Sequence, residues 1–463
     1  MPGSDPFAPF ARKLAAAGQP ALVTELFRRA YDRLRGGETG KVSSAEIVVV
    51  QDVTEIGDLA RYHDAGVAAL GSAVVIKLNG GLGTTMGLTQ AKSLLPVKGD
   101  LTFLDVIVRQ VLHLRRAHDA RLPLVLMNSF RTREDSARVL ARYPDLPSGL
   151  PADFLQHKVP RILAADLSPV SWPSNPEHEW CPPGHGDIYA ALQTSGLLRA
   201  LRDAGIRYAF VSNADNLGAV LDPDILGWIA VERVPFVMEV CDRSEADKKG
   251  GHLARRKDGR LMLREFSQCP DAELDSFQDI ARWRYFNTNT LWIDLDALAR
   301  VLEASGGVVD LPLIVNRKPV DPDQPESPQV IQLETAMGAG IALFEGARAL
   351  HVTRTRFAPV KSSSDLLALW SDAYEVTDDF RIVPSPRRRR GDLVVDLDPK
   401  HFRQVGDLRE RFPEGPPSLV GAGRFVVRGD VRFGRGVVVE GDVEVRQSGV
   451  EALVVPAGVR LTA

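Results

Sequence analysis

Apolar residues recur at helical spacing from Phe7 to Leu34, through Leu22, Leu26, Phe27 and Tyr31, and this predicts an N-terminal helical segment. After residue 46 the pattern changes to short, β-branched apolar runs at Ala73–Leu78, Leu124–Met127, Tyr208–Ser212, Phe236–Val240 and Leu291–Ile293. Amphipathic stretches at Phe103–Ala117, Ser136–Arg142 and Ile188–Asp203 lie among them. Strands alternating with helices at this spacing predict an α/β fold, with a mostly parallel sheet covered on both faces. Near residue 380 the pattern breaks. Ile382–Arg390 combines prolines with four consecutive arginines and reads as a solvated linker more readily than as a phosphate-binding patch. Beyond it, Phe425, Val431, Val437 and Val443 are six residues apart, with Gly429-Asp430 and Gly441-Asp442 at turn positions. That period predicts a hexapeptide solenoid, a small parallel β-helix, with an ordinary antiparallel meander as the alternative.

Composition narrows the partners. Hydrophobic residues make up 44% and charged residues 25%, with a formal net charge of −3. No global basic excess argues for nucleic acid or an anionic membrane as partner. The N-terminus has Pro, Asp and Arg where a signal peptide needs an apolar core, and no run approaches the roughly 18 apolar residues of a membrane span. A soluble, cytoplasmic protein is the expectation. Cys181, Cys241 and Cys269 form no C-x-x-C pair, so they are expected to be plain thiols in a reducing compartment.

The most informative stretch is Val74–Ser93, in which a strand runs into Asn79-Gly80-Gly81-Leu82-Gly83-Thr84. Glycines directly after a strand let backbone N–H groups approach anionic oxygens. The spacing excludes the commoner loops. In G-x-G-x-x-G terms Gly87 falls one position late, and a P-loop needs Gly where Ala91 precedes Lys92-Ser93. No histidine-arginine-aspartate kinase loop is present. What remains is a glycine loop followed about ten residues later by a lysine able to reach back to phosphates.

The segments Lys77–Gly87, Leu122–Phe130, Pro182–Tyr189, Val211–Ala219, Tyr285–Trp292, Ile331–Ala339 and Phe357–Leu367, in this order, resemble the eukaryotic-type UDP-glucose pyrophosphorylase family. The likeness runs from about residue 46 to the C-terminal end. It implies a Rossmann-like α/β nucleotidyltransferase domain with a mostly parallel or mixed central sheet, and a small C-terminal left-handed parallel β-helix. The implied organisation is a helical segment over 1–45, a catalytic domain over 46–380, a transition over 381–415 and the β-helix over 416–463. Relatives that activate N-acetylhexosamines carry an arginine where Thr85 stands, which favours glucose.

The implied reaction is an in-line attack of glucose 1-phosphate on the α-phosphorus of UTP, giving UDP-glucose and pyrophosphate with Mg²⁺ as cofactor. A phosphate monoester is already anionic near pH 7, so neither a general base nor a covalent intermediate is required. Positioning and cations then carry the catalysis. By resemblance, Lys92 and Lys361 are the catalytic cations, and Asp215 binds both nucleotide and metal. Leu78, Asn79, Gly80, Gly81, Gln156 and Gly184 are implied at the nucleotide, and His185, Asn213, Gly251, Glu265, Asn287 and Glu334 at the sugar phosphate. Self-association through the C-terminal β-helix is the one protein partner considered. The alternatives are a relaxed UDP-sugar pyrophosphorylase and a non-catalytic UTP or UDP-glucose binding module, although a degenerate sensor would have lost Lys92, Lys361 or Asp215.

Overall fold

Eight strands form the backbone of the central sheet: β1 (Thr54–Glu55), β2 (Ala73–Asn79), β3 (Leu124–Asn128), β4 (Asp153–Leu155), β5 (Tyr208–Asn213), β6 (Phe236–Asp242), β7 (Tyr285–Asp294) and β8 (Arg348–His351). They come from a computed structural model that describes residues 5–88 and 90–462, without the side chains of Thr85 and Ala246. The Thr85 side chain, on which the expected glucose preference rests, therefore lies outside what is described. The strands lie in the order β1-β8-β6-β7-β5-β2-β3-β4. Neighbours pair parallel except at β7, which runs antiparallel to both β6 and β5. The sheet is thus mixed, and the short run expected at Leu291–Ile293 is part of a ten-residue strand. Its polar first half, Phe286-Asn287-Thr288-Asn289-Thr290, carries no apolar alternation and so was invisible as a strand.

That first half is where β7 bends. The register shifts between Glu239 and Val240 of β6, and Asn289 sits at φ +55°. Such a bulge re-aims the side chains beyond it. A hairpin of His252–Arg256 and Leu261–Arg264 joins this half of β7 through the pairing of His252 with Phe286.

Successive side chains of a strand point to opposite faces, and β2 and β5 divide two cores accordingly. Ala73, Val75, Tyr208 and Phe210 enter one with helices Phe103–His118 and Pro223–Glu232. Val74, Ile76, Ala209 and Val211 enter the other with helices Ile188–Thr194, Leu197–Asp203 and Leu295–Ala304. The single helix expected over Ile188–Asp203 is two, broken at Gly196, whose φ of +74° no helix contains. The N-terminal helices Ala8–Ala16 and Ala21–Arg35 bury Phe10, Leu14, Val23, Phe27 and Tyr31 in a third core against Val159, Ile162 and Leu333. The buried stripe runs Val23-Phe27-Tyr31 at i, i+4, so Leu22 and Leu26 stand only half-buried beside it.

In the C-terminal region Val394–Leu397, Ala422–Arg428, Val438–Arg446 and Arg460–Thr462 pair parallel in sequence, and so do Val431–Phe433 and Leu453–Val455. The antiparallel meander does not occur. Phe425, Val431, Val437 and Val443 are all buried, and Gly429 and Gly441 turn at φ +83° and +82°. This region shares its core with the body. Leu366, Phe402, Phe412, Leu419 and Phe425 belong to one apolar cluster, and the Asp372 carboxylate accepts the N–H groups of Leu419 and Val420 at 2.8 and 3.1 Å. Nor is the arginine run simply solvated, since Arg388 donates to the carbonyls of Leu419 and Ala422, each at 3.0 Å. Among the described residues, no helix is long and apolar enough to cross a membrane.

Beneath the sheet's functional edge lies a buried ion pair. Glu239 of β6 is fully buried and accepts from Arg356 Nε at 2.8 Å and Nη2 at 2.7 Å, and from Trp292 Nε1 at 2.9 Å. Removing one partner strands the other charge in an apolar interior, which costs about 3–5 kcal/mol. Arg356→Met should therefore lower unfolding free energy in urea by about that much, and Arg356→Met/Glu239→Gln by clearly less. Equal losses in the single and double variants would mean that the pair is not what Arg356 contributes.

Candidate functional site

The C-terminal ends of the parallel strands β2, β3 and β5 carry Asn79, Asn128 and Asn213, and above them opens a cleft of about 330 Å³. This is the edge where open α/β sheets bind ligands. Leu78, Gly80, Gly81, Lys92, Gln156, Gly184, His185, Asn213 and Asp215 all line it. A second cavity behind the Pro183–Asp187 loop has apolar walls from Phe27, Leu311, Leu313 and Leu333, and its Arg33 is already paired with Glu38 and Asp310. The cleft above the strand ends, with Lys92 in its lining, is the one suited to phosphates.

Its floor is the glycine loop. Gly83 and Gly87 take φ +65° and +73°, so the chain turns back as side-chain-bearing residues rarely can. The Gly81 carbonyl then accepts the Lys92 N–H at 3.1 Å, and Lys92 Nζ reaches Asp215 Oδ2 at 2.7 Å. Two residues that are 123 apart in sequence thereby meet across the cleft floor. Asn79 lies at the rim, but its carboxamide nitrogen donates to Asn128 Oδ1 and Ser136 Oγ, tying β2 to β3.

One wall is the Gly184–His185 loop. Gly184 has φ +81°, and a Cβ there would lie 2.4 Å from the Thr335 carbonyl and 3.0 Å from the Glu334 Cβ, so Glu334 stands directly beside it. Gln156 Nε2 donates to the Gly184 carbonyl at 3.0 Å, while its Oε1 is the atom that a Cβ on Gly80 would meet. His185 Nδ1 accepts the Met337 N–H at 2.8 Å. Burial pushes the His185 pKa down to about 4, so the ring is neutral with its proton on Nε2, a hydrogen-bond donor and not a charge. Asp187 anchors the loop from behind through His157, whose other ring nitrogen meets Thr194.

Beyond the residues that line this cleft, the Phe357–Lys361 segment docks on the Asp215 turn. Val360 N–H reaches the Asp215 carbonyl at 3.3 Å, and Asn216 bridges Pro359. Lys361 Nζ lies 5.6 Å from the Phe357 ring centre and 6.0 Å from that of Phe286. Next to Phe286, the Asn287 N–H donates to the Gly251 carbonyl at 3.0 Å, and Gly251 packs so closely on the Glu265 carboxylate that a Cβ would come within 2.7 Å of Oε2. Burial raises the Glu265 pKa to about 7, against the opposing pull of Lys361. The predicted residues thus form two groups, Leu78 to Asp215 with Gln156, Gly184, His185 and Glu334, and Lys361 with Gly251, Glu265 and Asn287, joined at Asp215–Val360.

Sequence reasoning missed Asn216, Glu239 and Arg356. Asn216 Nδ2 donates to the Arg356 carbonyl and Oδ1 accepts from Ala358 N–H, each at 3.0 Å, which clamps the Lys361 segment in place. A polar residue inside a strand, such as Glu239 in Phe236–Asp242, was the available signal.

Residues 24–440 match the family model described as UTP–glucose-1-phosphate uridylyltransferase. The chain belongs to this family. A UTP–glucose-1-phosphate uridylyltransferase of Hordeum vulgare is 40% identical over 396 residues, covering 85% of this chain and 81% of that protein. A probable UTP–glucose-1-phosphate uridylyltransferase of Schizosaccharomyces pombe is 37% identical, covering 89% and 79%. Among solved structures, a mutant UDP-glucose pyrophosphorylase of Leishmania major in complex with UDP-glucose has 44% identity and a TM-score of 0.92, covering 99% of this chain and 98% of that one. The family match begins inside the second N-terminal helix and runs into the C-terminal coils, so it spans every residue assigned to the cleft.

In this uridylyltransferase-family cleft Glu265 should leave a signature in stability. A carboxyl group whose folded pKa lies above its unfolded value stabilises the fold while protonated, and that contribution is lost as pH rises from about 4.5 through about 7. Glu265→Gln should thus gain in melting temperature relative to the unmodified protein across that window. A difference that stays constant from pH 4.5 to 7.5 would show that Glu265 titrates normally.

Proposed function

We propose that this chain joins UTP and glucose 1-phosphate into UDP-glucose and pyrophosphate in the cleft between the glycine loop and the Phe357–Lys361 segment. The observation that supports it most is the convergence of Lys92, Asp215 and the Lys361 segment above the glycine loop, on the edge where the strands end. A phosphate oxygen of glucose 1-phosphate bonds to the α-phosphorus of UTP, the bond from that phosphorus to the bridging oxygen breaks, and the electron pair leaves with pyrophosphate. The nucleophile needs no base, consistent with a His185 that is neutral and offers only a donor. Gln156 and the Gly184 backbone read the uracil edge, whose N–H donor flanked by two carbonyl acceptors suits a primary amide. Gly251, Glu265 and Asn287 receive the sugar, with Asn213, His185 and Glu334 closing round its phosphate.

The cleft also fits Mg²⁺. Among the described residues no group of three His, Cys, Asp or Glu could cage a metal, but Mg²⁺ commonly takes one or two carboxylates and fills its other positions with phosphate oxygens and water. Asp215 is that carboxylate, with Lys92 engaging only Oδ2. When bound, Mg²⁺ supplies divalent charge against the triphosphate. Lys92, paired with Asp215 beforehand, is already ordered when the phosphates arrive and then turns to them. We read residues 46–380 as the catalytic domain of a cytoplasmic enzyme, 381–415 as a transition and 416–463 as a left-handed β-helix through which copies can associate.

The direct test is UTP with glucose 1-phosphate and Mg²⁺, following both pyrophosphate and UDP-glucose. Galactose 1-phosphate and N-acetylglucosamine 1-phosphate in parallel separate a glucose enzyme from a relaxed one. No pyrophosphate from any sugar phosphate would overturn the proposal. Lys92→Ala and Lys361→Ala should each lower kcat by at least about 10²-fold, the scale for losing one preorganised charge-stabilising donor. Near-normal turnover of either folded variant removes that lysine from the mechanism. Asp215→Asn should need more Mg²⁺ for half-maximal rate, since an amide is a poor ligand for a hard cation. Superimposable Mg²⁺ titrations of the variant and the unmodified protein would reduce Asp215 to a turn residue.

A further inference from the structure

Alternation along β2 sends residue 77 to the same face as Ala73 and Val75, into an apolar core, yet the residue there is a lysine. Lys77 is 2% exposed, among Val75, Ile107 and Phe210, with its ammonium 5.4 Å from the Phe210 ring centre. Its hydrogen bonds go to Ser212 Oγ at 2.6 Å and the Ala219 carbonyl at 2.7 Å, not to a carboxylate. Burial, with Arg356 nearby, pulls its pKa down to about 7. An apolar side chain would fill this place without the cost of desolvating a cation.

The two acceptors bracket one piece of chain. Ser212 is the last residue of β5 but one, before Asn213, and Ala219 closes the run Asn213-Ala214-Asp215-Asn216-Leu217-Gly218. The next carbonyl, of Val220, is held by Arg356 Nη2 at 2.9 Å, and Gly218 lies so close to the Thr355 carbonyl that a Cβ would come within 2.4 Å. The turn carrying Asp215 is thus gripped from inside the core by two buried basic side chains. Everything on the catalytic wall depends on that turn, because Asp215 pairs with Lys92 and its carbonyl takes the N–H of Val360, the neighbour of Lys361.

We propose that Lys77 is a positioning residue for the reacting phosphates: it pins both ends of the 213–219 turn and thereby sets Asp215 and, through Val360, Lys361. This rests on the uridylyltransferase reading above. Gln156 and Gly184, on the opposite wall, hold each other and make none of their hydrogen bonds to this turn. Loosening the turn should therefore impair the chemical step and leave capture of the uracil end intact.

The experiment is steady-state pyrophosphate release by Lys77→Met, Asp215→Asn and the double variant, with rates normalised to folded protein by circular dichroism. Lys77→Met is expected to lower kcat at least about tenfold while KM for UTP stays within about twofold. On the Asp215→Asn background it should cost a smaller factor than on the unmodified protein, because one of the two residues it positions is already impaired. A kcat per folded molecule within twofold of the unmodified enzyme would overturn the proposal, and so would losses that multiply fully in the double variant. A merely structural lysine would lower melting temperature and folded fraction without this split. If Lys77→Met does not accumulate folded, Lys77→Gln, which keeps a donor for the Ala219 carbonyl, is judged by the same criteria. An unmodified protein without pyrophosphate release would defeat the functional reading, whereas an active one indifferent to Lys77 defeats only this inference.

Discussion

Arg356 and Glu239 meet where water does not reach, and the layout of the cleft follows from their need for each other. Two charges buried singly would each be prohibitive. Paired in bidentate geometry, with Trp292 on the carboxylate and the Val220 carbonyl on the guanidinium, they are satisfied. Glu239 sits at the β6 bulge, so the pair ties the bend of β6 and β7 to the segment that begins at Arg356 and ends at Lys361. Asn216 fastens the same segment to the turn after β5. One interior contact therefore relates the residues built on bent β7 to those built on the turn after β5.

The electrostatics of the cleft suit two anionic substrates meeting. Its cations stand at partners they can exchange. Lys92 rests on Asp215, and Lys361 lies near two aromatic faces with Glu265 in its field. Preorganised charge does more in a partly desolvated cleft than in water, and it needs no reorganisation at the moment of reaction. The neutral groups follow the same logic: His185 has lost its charge to burial and keeps a directed N–H, and Gln156 is held by the loop it helps to shape.

The C-terminal coils are joined to this machinery by more than a tether. Their core is continuous with the helix that follows Lys361, Ser364 Oγ accepts the Leu397 N–H at 3.1 Å, and Gln404 packs against Gly87 at the end of the glycine loop. A few short parallel strands bury little by themselves and leave unpaired edges, so packing on the body is how they acquire a core. The boundary near residue 380 that composition suggests is thus a change of architecture inside one continuous apolar interior.

Local chemistry made much of this legible. Apolar runs located β2, β3, β5 and β6, the six-residue period singled out Phe425, Val431, Val437 and Val443, and the motifs named Lys92, Gln156, His185 and Asp215, which line one cleft. These signals survive in sequence because they are periodic or contiguous, and periodicity and turn chemistry are local properties of a chain. The antiparallel course of β7, the break at Gly196 and the work of Asn216, Glu239, Arg356 and Lys77 were not legible. A buried polar residue looks the same as a solvated one until its partners are known, and those partners lie 49 to 142 residues away, as with Asn79–Asn128 or Lys77–Ala219. Sequence by itself determined which residues could bind phosphate. Tertiary structure decided which of them share one cleft, because only packing can bring distant donors within hydrogen-bond range and charge for every polar group left without one.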